Sequence, residues 1–264
     1  MPFTPTHIIA VVPLAGVFRT VPFSALAVGA MVPDLPMFVG LFSYAEAHSL
    51  HGLFTTCLPL GLAAFVVFEL IMRRPLQAAL PACVQSRMKP PLSHSRDVSV
   101  TQLVLACVCI LIGAATHVFW DSFTHAGRWG TVVFPVLNSS AGIAGLQMPA
   151  YKIAQHGSSA IGLPLLLAVW IRSLRRTPPD ERRVVTISPI LRYGLWGLLL
   201  GVPIVLLASA IRSNGPLEYR AFVAATRTIS ILLVAFATYA LLFQAAAIVG
   251  RRSRQRQIGE VPGD

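Results

Sequence analysis

The chain has 264 residues, 55% of them hydrophobic and 12% charged, with a mean hydropathy of +0.69. A soluble domain carries about 25% charged residues, so the composition excludes an ordinary water-facing globule and implies a bilayer as solvent. The net charge of +11 would suggest nucleic acid in a soluble protein, but the placement of the charges removes that need.

The N-terminal stretch MPFTPTHIIA has no basic residue before Arg19 and no small-residue cleavage pattern, so it reads as part of the mature protein rather than a signal peptide. Pro2 to Phe18 is apolar but broken at Pro5 and Pro13, and Val21 to Val32 is a second short run closed by Pro33-Asp34-Leu35-Pro36. Runs of about 10–14 apolar residues more often lie in the interface or re-enter the membrane than cross it. These two are expected to form short or re-entrant helices, with Asp34 held in a turn between the prolines.

Crossing about 30 Å of hydrocarbon takes about 20 apolar residues in a helix. Five runs without Asp, Glu, Lys or Arg meet that length: Ala47 to Phe68, Val98 to Trp120, Ile153 to Ile171, Tyr193 to Ile211 and Thr228 to Gly250. The sequence therefore predicts an all-α, polytopic membrane bundle of about five full transmembrane helices plus the N-terminal short helical region. Basic residues gather on alternate connections. Arg73 to Arg96 holds five, Arg172 to Arg192 six and the tail after Gly250 four, which is fifteen of the 21 in the chain. Cytoplasmic loops retain Lys and Arg, so these connections are placed in the cytoplasm and the opposite helix ends outside, with no role for nucleic acid. The stretch from Leu80 to Ser99, with Lys89-Pro90-Pro91, reads as a mobile loop in which His94 is solvated.

Cys57, Cys107 and Cys109 lie in apolar runs and Cys83 in a basic loop. There is no CxxC pair and no disulfide framework, and the thiols read as packing residues. Six of the seven histidines precede His156, and both apolar-flanked acids, Asp34 and Asp121, share that part of the chain. Residues 1–160 are thus expected to form a metal-site membrane domain, and residues 161–264 plain transmembrane helices with a basic tail. Glu218 reads as a solvated loop residue.

The stretch THVFWDSFTHAG carries His117, Asp121 and His125 at intervals of four. If the helix continues past Trp120, these three share one face, with Gly127 as its stop. A lone histidine at a membrane boundary is an ordinary interfacial residue. An ionised Asp in a membrane helix costs about 2.5–3.5 kcal/mol even on the lenient insertion scale, and no Lys or Arg lies within a turn of Asp121. A divalent cation held by imidazoles and a carboxylate would compensate. Asp34, His48 and His51 in AHSLHG, and His7 before the first apolar run fall at the same helix ends. The candidate ligands are therefore His7, Asp34, His48, His51, His117, Asp121 and His125, with the bland alternatives of a turn-forming Asp34 beside proline and an interfacial His51.

MPFTPTH, GAMVPDLP, AHSLHGLF, GAATHVFWDSFTH and YKIAQHGSS, in that order, resemble the bacterial membrane family catalogued as domain of unknown function 4184. The likeness covers residues 1 to about 165; the later helices carry no signature. That family is in turn similar to predicted membrane-bound metal-dependent hydrolases, whose pattern implies His7, Asp34, His48, His117 and Asp121 as ligands and a bacterial inner-membrane location. Ala47 stands where that pattern has Thr. A more distant likeness, to the zinc-dependent phospholipase C and nuclease group, lacks the N-terminal Trp ligand and the late His-x-x-x-Glu pair.

A bound zinc-type ion would make hydrolysis the economical chemistry. Asp34 or Asp121, where left unligated, is the candidate base, and a lipid or lipid-linked phosphoester the substrate expected at a membrane surface. Tyr151, Lys152 and Gln155, in one connection, are candidate head-group contacts, although Lys152 equally reads as a snorkelling residue. Two rival classes remain open. One is a non-catalytic membrane protein with a structural polar cluster. The other is a metal or proton transporter, for which Glu69 would be the main deeper ionisable group.

Overall fold

The computed structural model describes residues 3–18, 23–40, 42–88, 99–143 and 146–259. Arg19, Lys89-Pro90-Pro91, His94 and Arg96 lie outside the described residues. Five helices are long and apolar enough to cross a membrane: α3 (Leu50–Ala79), α4 (Val100–Thr124), α5 (Ala150–Arg176), α6 (Pro189–Arg212) and α7 (Leu217–Gly259, with its apolar part at Tyr219–Val249). Two shorter apolar helices precede them, α1 (Thr4–Gly16) and α2 (Phe23–Val39). The all-α membrane architecture is the one the apolar runs predict, and the N-terminal region supplies two short helices rather than one broken span. The addition is a small antiparallel hairpin, β1 (Ser140–Ile143) with β2 (Leu146–Pro149), pairing Ser140 with Pro149 and Ala141 with Met148.

Large apolar side chains remain uncovered along the later helices, among them Ile161, Ile204, Val234 and Leu242. A soluble monomer rarely exposes contiguous apolar patches beyond a few hundred Å², and lipid is the solvent that suits them. The chain divides into two compact units. The first comprises Met1–Val66 and Ser95–Thr177, and the second Val67–His94 and Pro178–Asp264.

In the first unit α2 lies against α4 at a distance only small residues allow. A Cβ built on Gly113 would sit 2.5 Å from the Leu26 carbonyl oxygen and 2.6 Å from the Ala30 nitrogen, and one on Gly29 would collide with the Ile110 backbone. Ala25, Ala30, Ala106, Cys109 and Ala114 are buried along the same seam. Between membrane helices, where lipid tails remove the hydrophobic drive, close backbone approach of this kind supplies the packing energy. Gly61 admits the Ile110 side chain to α3 in the same way. A capping box starts α4: the Ser99 hydroxyl accepts from the Gln102 N–H, and the Gln102 side chain accepts from the Ser99 N–H. These contacts fix the heights of α2 and α4, and with them the polar residues one turn beyond the glycines.

In the second unit buried Gln85 and Gln77 pin the chain that follows α3. The Gln85 side-chain amide donates to the Leu80 carbonyl and accepts from the Val185 N–H, while Gln77 donates to the Arg183 carbonyl. Tyr239 of α7 donates to the Pro75 carbonyl.

Candidate metal centre

Four segments deliver the site. His7 lies in the first turn of α1, Asp34 in the 3₁₀ turn Val32–Asp34 of α2, and His48 just after the short helix Tyr44–Ala47. His117 and Asp121 lie on successive turns of α4. None of the five is more than 5% exposed. The expectation that the flanking prolines keep Asp34 out of a helix is corrected here. Asp34 is helical, at φ −85° and ψ −17°. Pro33 and Pro36 each begin a turn in which their missing N–H is tolerated.

The tautomers follow from the hydrogen bonds. His48 Nδ1 lies 2.9 Å from the Tyr44 carbonyl oxygen and His117 Nδ1 2.8 Å from the Ala30 carbonyl oxygen. A carbonyl only accepts, so each Nδ1 carries a proton and donates it, and in the neutral ring Nε2 presents a lone pair. His117 Nε2 is 3.5 Å from both Asp34 Oδ1 and Asp121 Oδ2. His48 Nε2 is 3.6 Å from the first and 3.5 Å from the second. These separations exceed the 2.7–3.2 Å of an N–H···O hydrogen bond. All four atoms are buried and make no hydrogen bond, and they lie within 4.8 Å of one another.

Four acceptors facing one another repel unless something positive lies between them. A tetrahedral ion holding N and O donors at about 2.0–2.1 Å separates its ligands by about 3.3–3.4 Å, close to the spacing found. The charge also balances, because two carboxylates and two neutral imidazoles carry −2. Imidazoles that ligate metals typically donate the other ring N–H to a carbonyl or carboxylate, and ligating carboxylates are themselves hydrogen-bonded. Both features are present, since Asp34 Oδ2 accepts from the Thr4 hydroxyl at 2.7 Å. Asp34, His48, His117 and Asp121 therefore fit a divalent cation of the kind that accepts mixed N and O donors.

His7 stands beside this group rather than in it. Its ring stacks on His117 with centroids 3.7 Å apart. Its Nε2, buried without a hydrogen-bond partner, is 3.4 Å from Asp121 Oδ1. His51 and His125 are placed differently from the ligand row drawn from spacing. After His48 the chain turns extended at Ser49, φ −107° and ψ 159°, whose hydroxyl caps the next turn by accepting from the Gly52 N–H. That break separates the two side chains, and His51 is exposed. Helix α4 ends at Thr124, with His125 already extended at φ −133° and ψ 138°, which corrects the expectation that the helix runs through it. His125 instead bends back and stays beside the group, its Nδ1 3.5 Å from Asp121 Oδ2. Its Nδ1 is 3.1 Å from the Asp121 carbonyl oxygen, and its Nε2 is 3.2 Å from the Gln155 side-chain nitrogen. Burial lowers its pKa below the usual imidazole value.

Of the three candidate head-group contacts, Gln155 is buried against His125, while Tyr151 and Lys152 lie half-buried in the first turn of α5. Sequence reasoning missed Thr4, Tyr44 and Arg128. Thr4 was open to notice, three residues before His7 in TPTH. Tyr44 packs its ring 4.1 Å from that of His48, and burial followed by the nearby Asp34 and Asp121 carboxylates raises its hydroxyl pKa. Arg128 donates from Nη1 to the His48 carbonyl at 3.3 Å, a contact across eighty positions that no spacing announces.

The family model described as Domain of unknown function (DUF4184) matches residues 1–249. The match runs beyond the motifs in the first 165 residues and takes in helices that carry no signature of their own. No curated protein and no solved structure matches the chain.

Proposed function

The chain belongs to the DUF4184 family, and from the site itself we propose that it is an integral-membrane, metal-dependent hydrolase acting on the phosphoester of a lipid or lipid-linked substrate. One observation carries the reading: Asp34 Oδ1, His48 Nε2, His117 Nε2 and Asp121 Oδ2 converge, buried and unpaired. Each uncompensated buried charge costs several kcal/mol, and a divalent cation removes that penalty for both carboxylates at once. Zinc suits the donor set, as do other first-row ions.

When bound, the ion would supply a water acidified towards a pKa of about 7 and a Lewis acid for the phosphoryl oxygen. The remaining work falls to the chain. Thr4 holds Asp34, and the Ala30 and Tyr44 carbonyls hold the two imidazoles in one tautomer. Asp121 reaches the donor group through Oδ2 and keeps Oδ1 towards His7, which makes Asp121 with His7 the better-placed pair to take and pass on a proton. Asp121 Oδ1 also accepts from the Thr124 hydroxyl at 3.4 Å, so both carboxylates have both oxygens engaged, and the adjoining His7 is what sets Asp121 apart. The alternation of basic loops supports an outer-face position for this chemistry.

A structural polar cluster is the second reading. Five buried polar atoms without hydrogen bonds argue against it, since a cluster kept for packing would be expected to satisfy its own members. The transporter reading needs a polar path, and Glu69, its main candidate, is ion-paired with Arg73 one turn on at 2.6 Å. The test is hydrolysis of phospholipids and of polyprenyl phosphates by purified protein. Turnover that depends on added metal and disappears in Asp121→Asn supports the proposal. Metal flux into proteoliposomes without turnover overturns it in favour of transport.

A further inference from the structure

A cavity of about 550 Å³ opens from the candidate centre, well within the size of small-molecule sites. Its polar end is made by His48, Asp121 and Arg128, and its walls by apolar residues of α3 and α4 such as Leu53, Val118 and Phe119. Leu50 at its rim is 79% exposed, Phe119 57% and Trp129 59%. Exposed apolar side chains around such a mouth suit acyl chains better than water. The wall is stiff, because Phe119, Phe123, Trp129 and Phe134 pack ring on ring.

Arg128 is the one cation among the lining residues. No carboxylate among the described residues forms an ion pair with it. Its Nη1 is anchored to the carbonyl of His48 and its guanidinium lies 5.9 Å from the Tyr44 ring centroid, so its place beside the donor group is held from two sides. A guanidinium has five N–H donors in a rigid fork that matches phosphate oxygens, and among the described residues only Nη1 of that fork makes a hydrogen bond.

We propose that Arg128 is the anion anchor of a lipid-binding cleft. A phosphate-headed lipid enters sideways between α3 and α4, its head group on Arg128 beside His48 and Asp121 and its chain along Leu53, Val118 and Phe119. This rests on the hydrolase reading for its purpose but not for its test. It also moves the head-group contact from Tyr151 and Lys152, which do not line the cavity, to Arg128.

The experiment uses the full chain in a neutral detergent, with metal content measured on every sample. Affinities are compared for lysophosphatidic acid, for the monoacylglycerol of the same chain and for inorganic phosphate. Lysophosphatidic acid should bind at least ten-fold more tightly than either. Arg128→Gln should abolish its advantage over the monoacylglycerol while metal content is unchanged, and Arg128→Lys should restore part of it. Val118→Trp, which fills the cleft, should weaken the lipid and spare inorganic phosphate. Equal binding of the charged and neutral lipids overturns the anchor, and inorganic phosphate binding as tightly as the lipid overturns the cleft. The ligand comparison is made on the wild-type chain with and without chelator, so that a preference supplied by a bound ion is separated from one supplied by Arg128 even where a variant fails to fold. A metal-free protein that still shows the Arg128-dependent preference would sink the hydrolase reading and leave this one standing.

Discussion

The imidazole of His7 lies flat on that of His117, ring centroids 3.7 Å apart and 16° from parallel, yet only His117 belongs to the four-donor group. The stack holds His7 Nε2 against Asp121 Oδ1, the carboxylate oxygen that also accepts from the Thr124 hydroxyl. If His7 moves protons rather than holding metal, His7→Gln should keep metal affinity within about ten-fold. Turnover should fall by about 10²–10⁴, the usual contribution of general acid–base catalysis. Metal titration and turnover on the same samples separate the two roles, and loss of the ion with the ring would make His7 a ligand.

Thr4 acts only through Asp34. Thr4→Val keeps the shape and removes the 2.7 Å hydrogen bond. Groups that orient a ligand in this way typically cost 10–100-fold in metal affinity when removed, so competition with a chelator should show a loss of that size. Thr4→Ser should recover most of it.

His51 supplies the opposite control. It is exposed beyond the Ser49 cap, and His51→Ala should leave metal content and turnover at wild-type values. A drop in metal content comparable to that of His48→Ala would mean that AHSLHG presents both rings to the site.

Gly113 ties packing to the site. A methyl there meets the Leu26 and Ala30 backbone, and the same stretch of α2 offers the Ala30 carbonyl to His117 Nδ1. Gly113→Ala should destabilise by about 1–3 kcal/mol, the typical range for overpacking, and should lower metal affinity although it lies a turn from any ligand. Thermal unfolding in detergent, with and without chelator, reads both. A variant with altered stability but unchanged affinity would show that the seam and the site are independent.

Much of this was legible in the sequence because its physics is local. Uncharged runs of spanning length mark α3 to α7, and the i, i+4 relation of His117 and Asp121 survives since both fall inside one helix. His7, Asp34 and His48 were legible as costly or metal-type groups at helix ends. What was not legible depends on where helices stop. One extended residue at Ser49 sends His51 outward, and an end at Thr124 leaves His125 beside Asp121 but tied to its backbone carbonyl and to Gln155. The Nδ1 partners are backbone carbonyls of Ala30 and Tyr44, which carry no side-chain signature. Arg128 reaches His48 only through the folded chain.

The most direct measurement is the metal content of purified protein from metal-replete cells, set beside that of the His117→Ala, Asp121→Ala double variant. The account predicts one tightly held divalent ion per chain in the wild type, zinc foremost, and its loss from the variant while the helical signal is kept. A wild-type chain with no stoichiometric ion, or a double variant that holds as much, would contradict it.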